Sequence, residues 1–195
     1  MYNRNDAQMN KLYIKNMVCN RCITAVRQEL DKLQFQIKSI TLGEVLLEND
    51  ITETEKNKIE NVLVPLGFEL IDDKKSRIIE QIKNKIIEIV HYQNNAAKYN
   101  LSEILSKETH HEYNYLSNLF SEIEGTTIEK YFIAQKIEKV KELILYDELS
   151  LSEIADRLNY SSVAYLSNQF KKVTGLTPSF FKQLKTVQRK PLDEV

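Results

Sequence analysis

The chain has 195 residues, 42% of them hydrophobic and 28% charged, with 27 basic side chains against 28 acidic ones, two cysteines, four glycines and three prolines. So little glycine and proline excludes collagenous and low-complexity classes, no apolar run reaches the roughly 18 residues a membrane span needs, and the near-zero net charge gives no hint of nucleic acid. The polar opening MYNRNDAQMNK lacks the apolar core of a signal peptide, so a cytoplasmic protein with no membrane partner is expected.

Residues 1–73 carry 9 basic and 12 acidic side chains and mix β-like runs (KLYIKN, FQIKSITL, EVLLEN, GFELI) with helical stretches. The pattern predicts a strand over 11–16, a cysteine loop, a helix over 22–33 and strands over 36–42 and 44–48 around a turn at Gly43. A helix over 53–64 and a strand over 67–72 follow, which completes a ferredoxin-like βαββαβ order.

Both cysteines lie in NMVCNRC, as Cys19 and Cys22. In an intracellular protein this spacing points to metal or redox chemistry rather than a structural disulfide. Cys22 falls at the predicted helix start, where the helix dipole favours the thiolate. Two thiolates suit linear Cu(I) but leave Zn(II) two ligands short, and Arg21 would offset their charge. The histidines, His91, His110 and His111, lack ligand-like spacing to the cysteines and are expected at the surface or in turns.

With Met-x-Cys-x-x-Cys between the first strand and helix and Gly-Phe opening the last strand, residues 9–73 resemble a heavy-metal-associated domain. The resemblance implies that Cys19 and Cys22 bind Cu(I) or another soft metal ion, and that Met17 packs into the core. Asn-Met-Val-Cys stands where that family usually has Gly-Met-Thr-Cys. A thiol redox sensor, a partner-binding scaffold with incidental cysteines, a CxxC disulfide oxidoreductase and a metallochaperone-like adaptor remain open alternatives. If no metal binds, no other cofactor is expected.

Asp72-Asp73-Lys74-Lys75 forms an acidic-to-basic hinge, after which nearly everything reads helical. Residues 76–92 predict an amphipathic helix with Ile79, Ile82, Ile86 and Val90 on one side. Next, residues 101–132 lie over 151–182 at an offset of 50 without a gap, and 11 of the 32 positions are identical. The shared unit is a short helix, a turn and a longer helix. Asn100 or Ser150 can cap the first helix, with Glu103 or Glu153 completing a capping box, and Gly125 and Gly175 end the longer one. Thr177-Pro178 opens a further helix, with proline at its first position.

In the longer helices Leu116, Phe120 and Ile123, like Leu166, Phe170 and Val173, follow a core-facing stripe. The opposite faces hold Asn114, Ser117, Asn118 and Ser121 in the first copy, and Ala164, Ser167, Asn168 and Lys171 in the second. Asn can bond adenine bidentately and Ser can meet either kind of base edge, so these faces suit a major groove. Between the copies, 126–146 predicts one helix of about 30 Å, close to the roughly 34 Å between successive major grooves.

Residues 76–185 resemble the AraC/XylS-type DNA-binding domain, two helix-turn-helix units on one long helix. The second copy follows that pattern in its apolar-Ala pair, Asn-Tyr-Ser turn, Phe-Lys-Lys and Gly-x-Thr-Pro; the first departs in its turn, KETHHEY. The resemblance implies base contacts from Asn114, Ser117 and Asn118, and from Ser162, Val163, Ala164, Ser167 and Asn168. It also implies phosphate contacts from Lys171, Lys172 and Lys182.

The expectation is an α+β chain: a ferredoxin-like domain (1–73) followed by an all-α double helix-turn-helix domain (74–195) with units at 101–125 and 151–175. It is read as a transcription regulator whose partners are double-stranded DNA and RNA polymerase, with a homodimer left open. No Ser/His/Asp, paired-carboxylate or phosphate-loop pattern stands out, so it is not expected to be an enzyme. Ligand at the cysteine loop is expected to act through helix 76–92.

Overall fold

Alternation in KLYIK places Leu12 and Ile14 on one face of the first strand and Tyr13 on the other. A computed structural model describes residues 10–71, 74–93, 100–184 and 192–193, and the chain divides into two units, 1–84 and 85–195.

In the first unit β1 (Lys11–Lys15), α1 (Asn20–Lys32), β2 (Ile37–Thr41), β3 (Glu44–Leu47), α2 (Glu53–Leu63) and β4 (Glu69–Leu70) follow in βαββαβ order. All three pairings are antiparallel and the strand order is β2-β3-β1-β4. Leu12, Ile14, Val45 and Leu47 pack with Val26 and Leu30 of α1 and with Ile59 and Leu63 of α2. α2 starts with a capping box between Thr52 and Glu55. The β2–β3 turn is at Gly43, whose φ of 75° is the left-handed region that favours glycine.

α3 (Lys74–Ile87) follows, and a single π-helical turn (Glu88–Tyr92) completes the helix expected over 76–92. Of the hinge, Asp72 and Asp73 lie outside the described residues, and Lys74 and Lys75 form the first turn of α3. α3 meets the sheet face that α1 and α2 leave free. The Arg77 guanidinium lies 4.7 Å from the Tyr13 ring centroid, and Asn84 lies against Gly43.

The second unit holds α4 (Leu101–Thr109), α5 (Tyr113–Glu124), α6 (Ile128–Tyr146), α7 (Leu151–Arg157), α8 (Val163–Thr174) and α9 (Pro178–Gln183). At 1.5 Å per residue the 19 residues of α6 span about 28 Å. The repeat extends into packing. Phe120 meets Tyr131 at 5.6 Å between ring centroids, and Phe170 meets Phe181, 50 residues on from each, at 5.5 Å. Around the second pair Ile137, Val140, Ile144, Ile154, Ala155 and Leu166 form one core. Among the described residues no helix is long and apolar enough to cross a membrane.

Some expectations need correction. Ile123 and Val173 are exposed, at 43% and 47%. Each keeps its stripe's angular position, but it sits in the last turn before a helix-ending glycine, beyond the covered length; Leu119 is buried instead in α5. Asn100 forms no side-chain cap, because its amide donates to Glu103 Oε1 at 2.6 Å and its carbonyl accepts from Ser102 Oγ at 2.7 Å. Ser150 does form the capping box with Glu153. His91 is not a bare surface residue, since it hydrogen-bonds the fully buried Gln135 at 3.0 Å.

Candidate nucleic-acid interface

In each half of the repeat a short helix, a turn and a longer helix bring one polar face to the surface. α8 begins at Ser162, whose hydroxyl accepts from the Tyr165 N–H at 3.1 Å. The turn before it contains Asn159 at φ 52°, and His110 takes the same left-handed conformation at φ 56° in the first unit. α5 begins at Glu112, which makes no side-chain cap. Its start is tied instead by Tyr113, whose hydroxyl donates to the Glu129 carboxylate at the head of α6. Burial and that carboxylate push the Tyr113 phenol up, while the same hydrogen bond pulls Glu129 down. Both long helices end at glycines in the left-handed conformation, Gly125 and Gly175.

On α5, Asn114 and Asn118 are exposed and Ser117 is half-buried. On α8, Ala164 and Asn168 are exposed, and Val163 and Ser167 are half-buried. Ser162 is exposed, but its oxygen is already engaged as the cap and only its O–H remains to donate. Lys171 and Lys172 are exposed in the last turn of α8. Their first-copy counterparts are Ser121 and Glu122, and the last turn of α5 has no basic residue. Lys182 differs from the expectation: it forms an ion pair with Asp147, which leaves it less available to a phosphate.

Sequence reasoning missed Tyr115 and Tyr165, which are 44% and 54% exposed at matching positions beside Asn118 and Asn168. Each leans on an aromatic ring from the preceding turn, His111 at 5.2 Å and Tyr160 at 6.1 Å. The signal was present: an aromatic shared by both copies that lies off the buried stripe.

In the first unit Cys19 caps α1, its sulfur accepting from the Cys22 N–H at 3.4 Å, and the two sulfurs lie 3.0 Å apart. Burial, then the hydrogen bond with Cys19, push the Cys22 thiol up. At this helix start desolvation therefore outweighs the dipole that was expected to favour the thiolate. Met17 is fully buried, as the metal-domain resemblance implied. Among the described residues no group of three or more His, Cys, Asp or Glu side chains could hold a metal ion. The cysteines therefore offer two soft donors and no third.

Residues 105–183 match the family model for a helix-turn-helix domain. Similar solved structures include the C-terminal domain of the response regulator AraT from Geobacillus stearothermophilus, with 24% identity, 60% of this chain and 92% of that one covered, and a TM-score of 0.49. The C-terminal domain of the two-component response regulator yesN from Fusobacterium nucleatum subsp. nucleatum is 30% identical, with 51% and 96% covered and a TM-score of 0.44. A transcriptional regulator from Chromobacterium violaceum, described as having an AraC-type DNA-binding domain, is 14% identical, with 55% and 94% covered and a TM-score of 0.47. A search of curated proteins finds no match.

Proposed function

The chain belongs, through residues 105–183, to the helix-turn-helix domain family, and from that premise we propose that it is an AraC/XylS-type transcription regulator that reads double-stranded DNA with α5 and α8. The observation that carries this is the repeated exposed register of Tyr115, Ser117 and Asn118 on α5 and Tyr165, Ser167 and Asn168 on α8. Between them lies an α6 of about 28 Å, close to the groove repeat of about 34 Å. Asn114, Asn118, Ala164 and Asn168 meet base edges, with Ser117, Ser162, Val163 and Ser167 beside them, and Lys171 and Lys172 meet phosphates. The test is selection of duplexes from a random pool, followed by shift assays across a salt series. One enriched sequence whose affinity falls with salt supports the reading; no enrichment, or binding indifferent to salt, rejects it.

The N-terminal unit is read as ferredoxin-like, on its βαββαβ order and β2-β3-β1-β4 antiparallel sheet. Its Cys19 and Cys22 suit a two-coordinate soft ion such as Cu(I), because they supply two thiol donors 3.0 Å apart. Bound there, the ion would be the signal that the regulator senses, and α3 is the element that carries it on. The same separation favours a second reading, a dithiol that oxidises to a disulfide. Ag(I) or Cu(I) binding by the reduced protein that Cys19→Ser abolishes supports the first. A disulfide formed under mild oxidant, without metal binding, supports the second. Contact with RNA polymerase, a homodimer on DNA and a cytoplasmic location belong to the same reading.

A further inference from the structure

α6 holds one lysine whose surroundings set it apart. Lys139 and Lys141 pair with Glu142 and Glu138 at 2.7 and 2.5 Å. Around Lys136, by contrast, there are ring faces: its Nζ lies 3.8 Å from the Tyr160 ring centroid and 5.7 Å from that of Phe132. Its neighbours three and four residues away along the helix, Phe132, Ile133, Lys139 and Val140, include no carboxylate. Among the described residues Lys136 forms no ion pair. Tyr160 supplies no counter-charge, since it is 8% exposed, its hydroxyl has no partner and burial pushes its phenol up.

Removing an ammonium from water without a carboxylate beside it favours the neutral amine, and the two ring faces return only part of the lost hydration. Burial accordingly pulls Lys136 down to about 8. The side chain is half-buried, which leaves room for a small reagent and not for a bulky carrier.

We propose that Lys136 is a covalent modification site, acylated by small acyl phosphates. The neutral amine attacks the acyl carbonyl, the C–N bond forms as the C–O bond to phosphate breaks, inorganic phosphate leaves, and the nitrogen gives its surplus proton to solvent. No electrons are exchanged. The product is a neutral amide on the Tyr160 ring, at the turn that leads into α8. At pH 7 a lysine titrating near 8 is about 9% neutral, against roughly 0.03% for an ordinary one. That advantage of about 300-fold is cut by the weaker nucleophilicity of a less basic amine. Taking a Brønsted slope of about 0.5 leaves a net gain of roughly tenfold.

The test treats the full chain with acetyl phosphate and follows each lysine by peptide mass spectrometry. Lys136 is expected to gain an acetyl group about ten times faster than Lys139 or Lys141, and the advantage should vanish in urea that unfolds the protein. Equal rates in the folded chain, or a preference that survives unfolding, would overturn the proposal, because the environment would then contribute nothing.

Discussion

Gly43 to Ala is the sharpest test of how the first unit is assembled. An alanine there meets two separate costs. The first is the backbone: φ of 75° in a residue with a Cβ costs about 1–2 kcal/mol. The second is space, since a Cβ on Gly43 would lie 2.1 Å from Asn84 Nδ2 and 3.3 Å from its Cγ. Asn84 is 7% exposed and cannot swing into water without leaving the packed surface of α3, so overpacking adds about 1–3 kcal/mol. Gly43→Ala alone should therefore destabilise by roughly 2–5 kcal/mol. In an Asn84→Ala background the clash disappears and only the backbone cost of about 1–2 kcal/mol remains, a coupling of about 1–3 kcal/mol. Urea unfolding of the four proteins by circular dichroism measures the cycle, and hydrogen exchange at the β1 and β3 amides assigns it to this unit. Additivity within about 0.5 kcal/mol would refute the claim that Gly43 is glycine because α3 approaches it.

The remaining predictions concern the helical unit. Asn168→Ala and Asn118→Ala should each weaken binding to the selected duplex by about 1–3 kcal/mol and relax preference at one base pair, measured by shift assay on single-base variants. Lys171→Ala and Lys172→Ala should instead weaken binding to all duplexes and lower the salt slope by about one each. Lys136 titrates near 8 in the folded protein and near 10.5 unfolded, so between those values the unfolded chain holds more protons and stability should rise with pH. Lys136→Met should flatten that rise in a urea-unfolding series from pH 7.5 to 10. Ser150→Ala removes the α7 cap and should cost about 0.5–2 kcal/mol in the same assay.

Much of this was legible because short-range chemistry decided it. The β2–β3 turn needed Gly43, Thr177 and Pro178 could open α9, and the shared Gly125 and Gly175 could only end their helices. What escaped depends on partners distant in sequence. Nothing in NMVCNRC states how deeply Cys22 is buried, so the dipole argument lacked its opponent. Asn100 and Ser150 are equivalent by pattern, but the longer amide side chain of Asn100 bonds Glu103 directly and leaves the backbone uncapped. Lys136 looked like any helix-surface lysine until α6 was packed against the turn that holds Tyr160.

The two reading helices, alike in register, are held and charged differently. The start of α8 is fixed within its own turn by Ser162, and its end carries Lys171 and Lys172. The start of α5 is fixed from outside, by Tyr113 on Glu129, and its end carries Glu122 and Glu124. A helix anchored locally and finished with lysines can seat on a phosphate backbone by itself. One that has no basic residue in its last turn and depends on a tie to α6 gains little from phosphates, and its contribution must come from Asn114, Ser117 and Asn118 at base edges. On the proposed function, α8 therefore supplies most of the salt-dependent affinity, and α5 adds discrimination once α6 has brought it to the next groove.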